Sequence, residues 1–284
     1  MSGSPTTLGG RSAAARVLTW VLVAIILAWT VIPLGWMLLS SVKPESAIKT
    51  ATPTLVFTPT LENYARLFGS GNDITPFAIN SVIATVTATA LALALGTIAG
   101  YGLAHWHGRG RRHLAFWIIS TRMAPIAAVI LPLFIIFRHL GLLDSVLGLI
   151  VAYLSFSLPF AIWLMSAFFA DVPKSIEEAA LVSGASRWQA FWHVVLPTVK
   201  PGLVTTGVLC AVFSWNDYAF ASSFSGPASQ TLPMAAGRLI TQGGVDWGQL
   251  TALGVVVTLP MIVAGLAVRR WLVTGLTLGA VTAE

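Results

Sequence analysis

The chain is short of charge. Asp, Glu, Lys and Arg make up 9% of its 284 residues, against about 25% in a typical soluble domain. Too few ionic groups remain to cover a water-facing surface, which excludes an ordinary soluble globular protein. There is one cysteine, Cys210, inside an apolar run; this excludes an internal disulfide and a Cys-rich metal site, and it reads as a small buried hydrophobe. No lysine follows a glycine anywhere in the chain, so the lysine-bearing phosphate loop is missing. Gly108, Gly110, Gly243 and Gly244 lack the flanking strand and helix a nucleotide needs and read as turns. What is present is apolar: 56% hydrophobic residues and a mean hydropathy of +0.83. That is the composition of a chain that lives in a bilayer.

Six stretches are long and apolar enough to span. They run 17–39, 77–104, 115–137, 145–170, 202–220 and 250–268. The first has 23 residues without a charge, longer than the 7–15-residue apolar core of a cleaved signal peptide, so it reads as an uncleaved helix. The second is rich in Ala, Thr and Gly, which lets helix backbones approach closely in lipid and places it inside a bundle. The third is interrupted by Arg122, Pro125 and Pro132, and the fourth contains Pro159. Residues 1–16 read as a mostly disordered cytoplasmic tail, 17–271 as one membrane domain, and 272–284 as a C-terminal tail. The fold class is all-α polytopic.

Orientation follows from the basic residues. With a cytoplasmic N terminus, the inner segments hold Arg11, Arg16, Arg109, Arg111, Arg112, Lys174, Arg187, Lys200, Arg269 and Arg270, ten in all. The outer segments hold five: Lys43, Lys49, Arg66, Arg138 and Arg238. The excess places both termini in the cytoplasm. It also explains the net charge of +6 as topology, without nucleic acid as a partner.

Residues 171–201, DVPKSIEEAALVSGASRWQAFWHVVLPTVKP, carry Asp171, Lys174, Glu177, Glu178, Arg187 and Lys200 between the fourth and fifth spans. They must lie in water. Pro173 suits the first turn of a helix whose Ile176, Ala179 and Ala180 share a face. Gly184 fits the left-handed end of that helix, and Ser186 with Gln189 makes a capping-box start for a second. Phe191, Trp192, Val194 and Val195 give the second helix its apolar surface, and Pro197 is expected to stop it. A charged hairpin with an apolar face, held at a membrane surface, is built to dock into something soluble.

The run Glu178-Ala179-Ala180, Gly184, Val194 and Leu196-Pro197 resembles the EAA loop, the coupling segment of importer-type ABC transporter permeases. The resemblance implies that Glu177, Glu178, Ala179, Ala180, Gly184, Leu196 and Pro197 insert into a cytoplasmic ATPase subunit and transmit its closure. Ser183 stands where the carbohydrate branch usually has Asp. The C-terminal run 272–281 is similar to the tail of the maltose-type second permease subunit. By that likeness Gly275, Leu276, Thr277 and Gly279 contact the ATPases. Asn63-Tyr64, Asn80-Ser81 and Trp215-Asn216-Asp217 extend the resemblance to the carbohydrate-uptake branch over nearly the whole chain. It implies a second permease subunit, two ATPase subunits that bind ATP and Mg, an extracytoplasmic binding protein docking on the outer loops, a sugar cargo and the plasma membrane of a prokaryote. No cofactor and no catalytic residue are implied in this chain.

Within the spans, Asn80, Arg122, Trp215, Asn216 and Asp217 have the chemistry to hydrogen-bond and stack on a polyol. Contacts between helices, or ordinary contact with the second permease subunit, are the alternative reading of the same residues. A charge at mid-bilayer costs about 2.5–3.5 kcal/mol, so Arg122 is expected against a cavity, a partner helix or an interface. His105, His107 and His113 cluster in a basic turn without a carboxylate or Cys and read as headgroup-facing rather than metal-binding. Rival functions are a glycerophosphodiester or other polyol importer, a secondary transporter, and a membrane-embedded transferase.

Overall fold

The computed structural model describes residues 13–50, 52–69, 73–241 and 244–281. The chain opens with α1 (Ala13–Ser41), then α2 (Glu45–Ile48), α3 (Glu62–Leu67) and α4 (Thr75–His105). Next come α5 (Arg111–Ser120), a 3-10 turn (Thr121–Met123), α6 (Ile126–His139) and α7 (Val146–Ala170). After α8 (Lys174–Val182) and α9 (Arg187–Ala190), a π turn (Phe191–Val195) leads into α10 (Leu196–Thr198) and α11 (Lys200–Trp215). The last elements are α12 (Ala219–Phe224), α13 (Leu232–Arg238), a two-residue antiparallel ladder of β1 (Ile240–Thr241) and β2 (Gly244–Val245), and α14 (Trp247–Val281). Among the described residues four helices are long and apolar enough to cross a membrane, or six if each of two bent pairs counts as one span.

The helix pair at the centre is α4 with α7. Ala84, Ala88 and Ala92 are buried along one edge of α4, and Gly96 and Gly100 continue the row. A Cβ on Gly96 would stand 2.6 Å from Ala161 Cβ, and one on Gly100 2.9 Å from Met165 Cβ. Only a missing side chain permits that approach, as the small-residue content of this span predicts.

The third span does not run straight. Its halves meet at 89°, because Ala124 precedes Pro125 and is pushed to an extended conformation (φ −61°, ψ 134°). Pro132, by contrast, stays inside α6. The fifth span ends at Trp215 rather than Phe220: the Asp217 carboxylate accepts the Phe220 and Ala221 amide hydrogens at 3.1 Å each and starts α12 there. Pro197 does not stop its helix either. The Leu196 N–H reaches back five residues to the Phe191 carbonyl, a widened turn that lets the chain continue to Thr198 before a 74° bend into α11. The stretches between the expected spans at 40–76 and 221–249 are not plain loops but contain α2, α3 and α13, and α14 continues through most of the expected C-terminal tail.

The connections sort into two sets at opposite ends of the bundle. At one end the basic turn after α4 meets the hairpin, with Lys174 Nζ 3.2 Å from His107 Nε2. At the other, Arg66 pairs with Asp246, and Asn80 Nδ2 donates to the Ala228 and Gln230 carbonyls at 3.1 and 3.0 Å. This is the alternation that six crossings require.

Candidate functional site

The hairpin is built as its sequence predicts at both caps. Gly184 has φ +92° with open space where a Cβ would stand. The Ser186 hydroxyl accepts the Gln189 amide hydrogen, and the Gln189 side chain accepts that of Ser186. The two halves behave differently beyond the caps. Phe191 and Val195 are buried with Met165, Phe169 and Val199 in the cluster that joins hairpin to bundle. On the far side Val182 is 89% exposed, and Trp188 and Trp192 stand edge to face at 5.5 Å, both exposed. Ile176 and Ala179 are exposed as well. One face of the hairpin is therefore welded to the membrane helices, and the other offers an aromatic and aliphatic patch to water.

The two glutamates part company. Glu177 turns inward, accepting the Tyr101 hydroxyl at 2.6 Å and lying 2.7 Å from His105 Nε2. Glu178 is exposed. Sequence spacing grouped the pair and missed Tyr101 and His105, which lie more than seventy residues upstream. Leu196 is half-buried against the joint and Pro197 is exposed. Gly275, Leu276, Thr277 and Gly279 fall inside α14, but their side chains lie outside the described residues.

The five polar or aromatic residues of the spans have separate fates. Trp215 is 6% exposed and its indole donates to the Val257 carbonyl at 2.9 Å, tying α11 to α14. Asn80 anchors the turn after α12, Asp217 caps that helix, and Asn216 donates to the Val212 carbonyl one turn back at 2.8 Å. Arg122 sits at the break in the third span, its guanidinium 4.0 Å from the Phe213 ring centre, 4.5 Å from Phe160 and 4.9 Å from Phe156. Its Nη1 is buried and has no hydrogen-bond partner among the described residues.

Residues 92–277 match the family of binding-protein-dependent transport system inner membrane components. This chain belongs to that family. Over 272 residues the permease is 36% identical to the trehalose transport system permease protein SugB of Mycobacterium tuberculosis, covering 94% of this chain and 98% of that protein. It is 30% identical to the diacetylchitobiose uptake system permease protein DasC of Streptomyces coelicolor, covering 95% and 99%. Among solved structures it shares its fold with a chain of a bacterial ABC transporter involved in the import of the acidic polysaccharide alginate. There the TM-score is 0.76 at 24% identity, covering 92% of the permease and 99% of that chain. The permease is thus a multi-pass inner-membrane component of a binding-protein-dependent transport system, a transport subunit rather than an enzyme.

Proposed function

We propose that this permease forms one half of the translocation pore of an ATP-driven importer that carries a sugar into the cytoplasm of a prokaryote by alternating access. The observation that carries the reading is the full-length similarity to permeases named for trehalose and diacetylchitobiose. A second permease subunit completes the pore, and two ATPase subunits hold ATP and Mg. Both termini and the hairpin lie in the cytoplasm, in keeping with ten basic residues on that side against five on the other. The exposed Val182, Trp188 and Glu178 enter the ATPase, while Phe191 and Val195 carry the movement to α4, α7 and α11. The C-terminal end of α14, with Gly275, Leu276, Thr277 and Gly279, reaches the ATPases as well. An extracytoplasmic binding protein delivers cargo at the opposite end, on the loops around α2, α3 and α13. Arg122, with an N–H free for an acceptor, is the pathway residue best suited to meet a hydroxylated cargo.

The test is uptake into proteoliposomes holding this chain with its partner subunits and binding protein, using labelled trehalose, diacetylchitobiose and a glycerophosphodiester. Saturable, ATP-dependent entry of a sugar is the expected result. Uptake by the chain alone without nucleotide, or uptake of the phosphodiester only, overturns the reading.

A further inference from the structure

Lys43 is a buried cation with no anion beside it among the described residues. It is 2% exposed, and its ammonium lies 4.4 Å from the ring centre of Trp36 and 5.3 Å from that of Phe57. Among the described residues no carboxylate pairs with it; Glu45, two residues on, is engaged by Lys49 and Arg66. Aromatic faces offset part of the cost of removing an ammonium from water, and a buried charge is ordinarily completed by a counter-charge.

Beside Lys43 is a cavity of about 160 Å³, lined also by Trp36, Ser40, Thr50 and Thr54. It is larger than one water molecule requires, about 30 Å³. Ser40, which borders the same space, is 7% exposed. The Lys43 ammonium and the Ser40 hydroxyl thus line one small space, where the Thr50 and Thr54 hydroxyls already donate to backbone carbonyls.

The space is held open by a motif that the transport reading leaves without a role. Asn63 donates both its amide hydrogens outward, to the Ser41 carbonyl at 2.9 Å and the Lys43 carbonyl at 2.8 Å. The Tyr64 hydroxyl donates to Ser41 Oγ at 2.8 Å, and the Thr60 amide to the Val42 carbonyl at 2.9 Å. The turn bearing Lys43 is pinned on both sides. It also lies where α1 stops being apolar: the helix has no charge from Val17 through Leu39 and ends at Ser41. Trp36 belongs to both regions, bordering the cavity while remaining 43% exposed on the apolar helix. An apolar helix that crosses a bilayer and ends there brings such a tryptophan to the headgroup layer.

We propose that the Lys43 cavity binds a phosphate oxyanion, supplied by the headgroup of a phospholipid bordering α1. Ammonium and hydroxyl donors take the phosphate oxygens, and the indole of Trp36 packs against the glycerol region.

The test uses the full chain purified in detergent with its partner subunits. Native mass spectrometry counts bound phosphatidylglycerol, with diacylglycerol as the phosphate-free control, and a second arm titrates inorganic phosphate against the melting temperature. The expected result is one saturable phosphatidylglycerol site, not filled by diacylglycerol and weakened at least tenfold in Lys43→Gln, with Lys43→Arg retaining it. Displacement of that lipid by inorganic phosphate would assign the source to the free ion. Equal lipid binding by wild type and Lys43→Gln overturns the proposal. Should Lys43→Gln fail to fold, the wild-type titrations decide: no saturable site for either probe overturns it equally.

Discussion

Glu177 and His105 meet at 2.7 Å across the joint between the hairpin and the bundle. The contact joins the first turn of α8 to the last turn of α4, and Tyr101 adds a second bond to the same carboxylate. Of the two adjacent glutamates, the inner one ties the hairpin to the helix bundle, and the outer one is exposed. Glu177→Gln is therefore expected to loosen the joint without touching the docking face. Losing hydrogen bonds to a charged group costs about 1.5–3 kcal/mol, enough to reduce substrate-stimulated ATPase activity of the assembled transporter about tenfold while the ATPase subunit still co-purifies. Glu178→Gln should do the reverse, weakening co-purification. Identical phenotypes for the two variants would remove the distinction.

Gly184 turns the chain at φ +92° with nothing within 4 Å of a Cβ. Any penalty for substitution there is backbone strain alone. Gly184→Val forces a β-branched residue into a region it avoids, at a cost of order 1–3 kcal/mol. The protein should insert normally but lose coupling of ATP hydrolysis to transport, and Gly184→Asn should retain more of it. Substrate-stimulated turnover at the wild-type rate in Gly184→Val refutes this.

Asp144 organises the opposite end. Its Oδ1 accepts the amide hydrogens of Gly226, Ala228 and Ser229 at 2.9, 3.0 and 3.1 Å and the Ser229 hydroxyl at 3.0 Å. Burial pushes its carboxyl up, but the Ser229 hydroxyl and the three amides outweigh that and hold it below the usual aspartate range. A depressed folded pKa contributes stability that is fully present above the unfolded value, about 3.9, and is lost as pH falls through the folded value. The melting temperature of wild type should thus exceed that of Asp144→Asn at neutral pH, and the gap should close below about pH 4. A gap independent of pH, measured by thermal melts from neutral into acid, contradicts the assignment.

The crossings were legible because hydropathy sums over some twenty residues, and the hairpin caps because Gly184, Ser186 and Gln189 act locally. Bends were less so. Pro125 announced an interruption, yet its 89° depends on what α5 and α6 pack against. Pro197 was misread because the π turn before it exists only with Phe191 and Val195 buried against α7. The inward role of Glu177 was hidden for a similar reason: its partners lie far upstream in sequence, and helical spacing alone does not say which of two neighbouring acids faces the membrane. Nothing local in the sequence marks the backbone turn that receives Asp144 or the aromatic walls that receive Lys43. Asn63-Tyr64 stood out as a motif, and only the fold gives it work, clamping the end of α1.

Trp215 and Arg122 differ in how their polar atoms are satisfied. Trp215 is buried and its indole donates to the Val257 carbonyl. Trp215→Phe deletes the donor and part of the buried aromatic surface, so it should lower stability by at least about 1 kcal/mol and leave the uptake KM unchanged. Arg122 is the opposite case, a cation held over three phenyl rings with Nη1 unpaired among the described residues. A guanidinium is planar and can rest against aromatic rings while a donor edge stays available, whereas an ammonium presents no such edge. Arg122→Lys should therefore raise the uptake KM several-fold with little change in melting temperature, and Arg122→Met should raise it further. If both variants instead transport with wild-type KM, Arg122 is a contact to the neighbouring permease subunit, and its loss should then appear as weaker assembly of the two subunits.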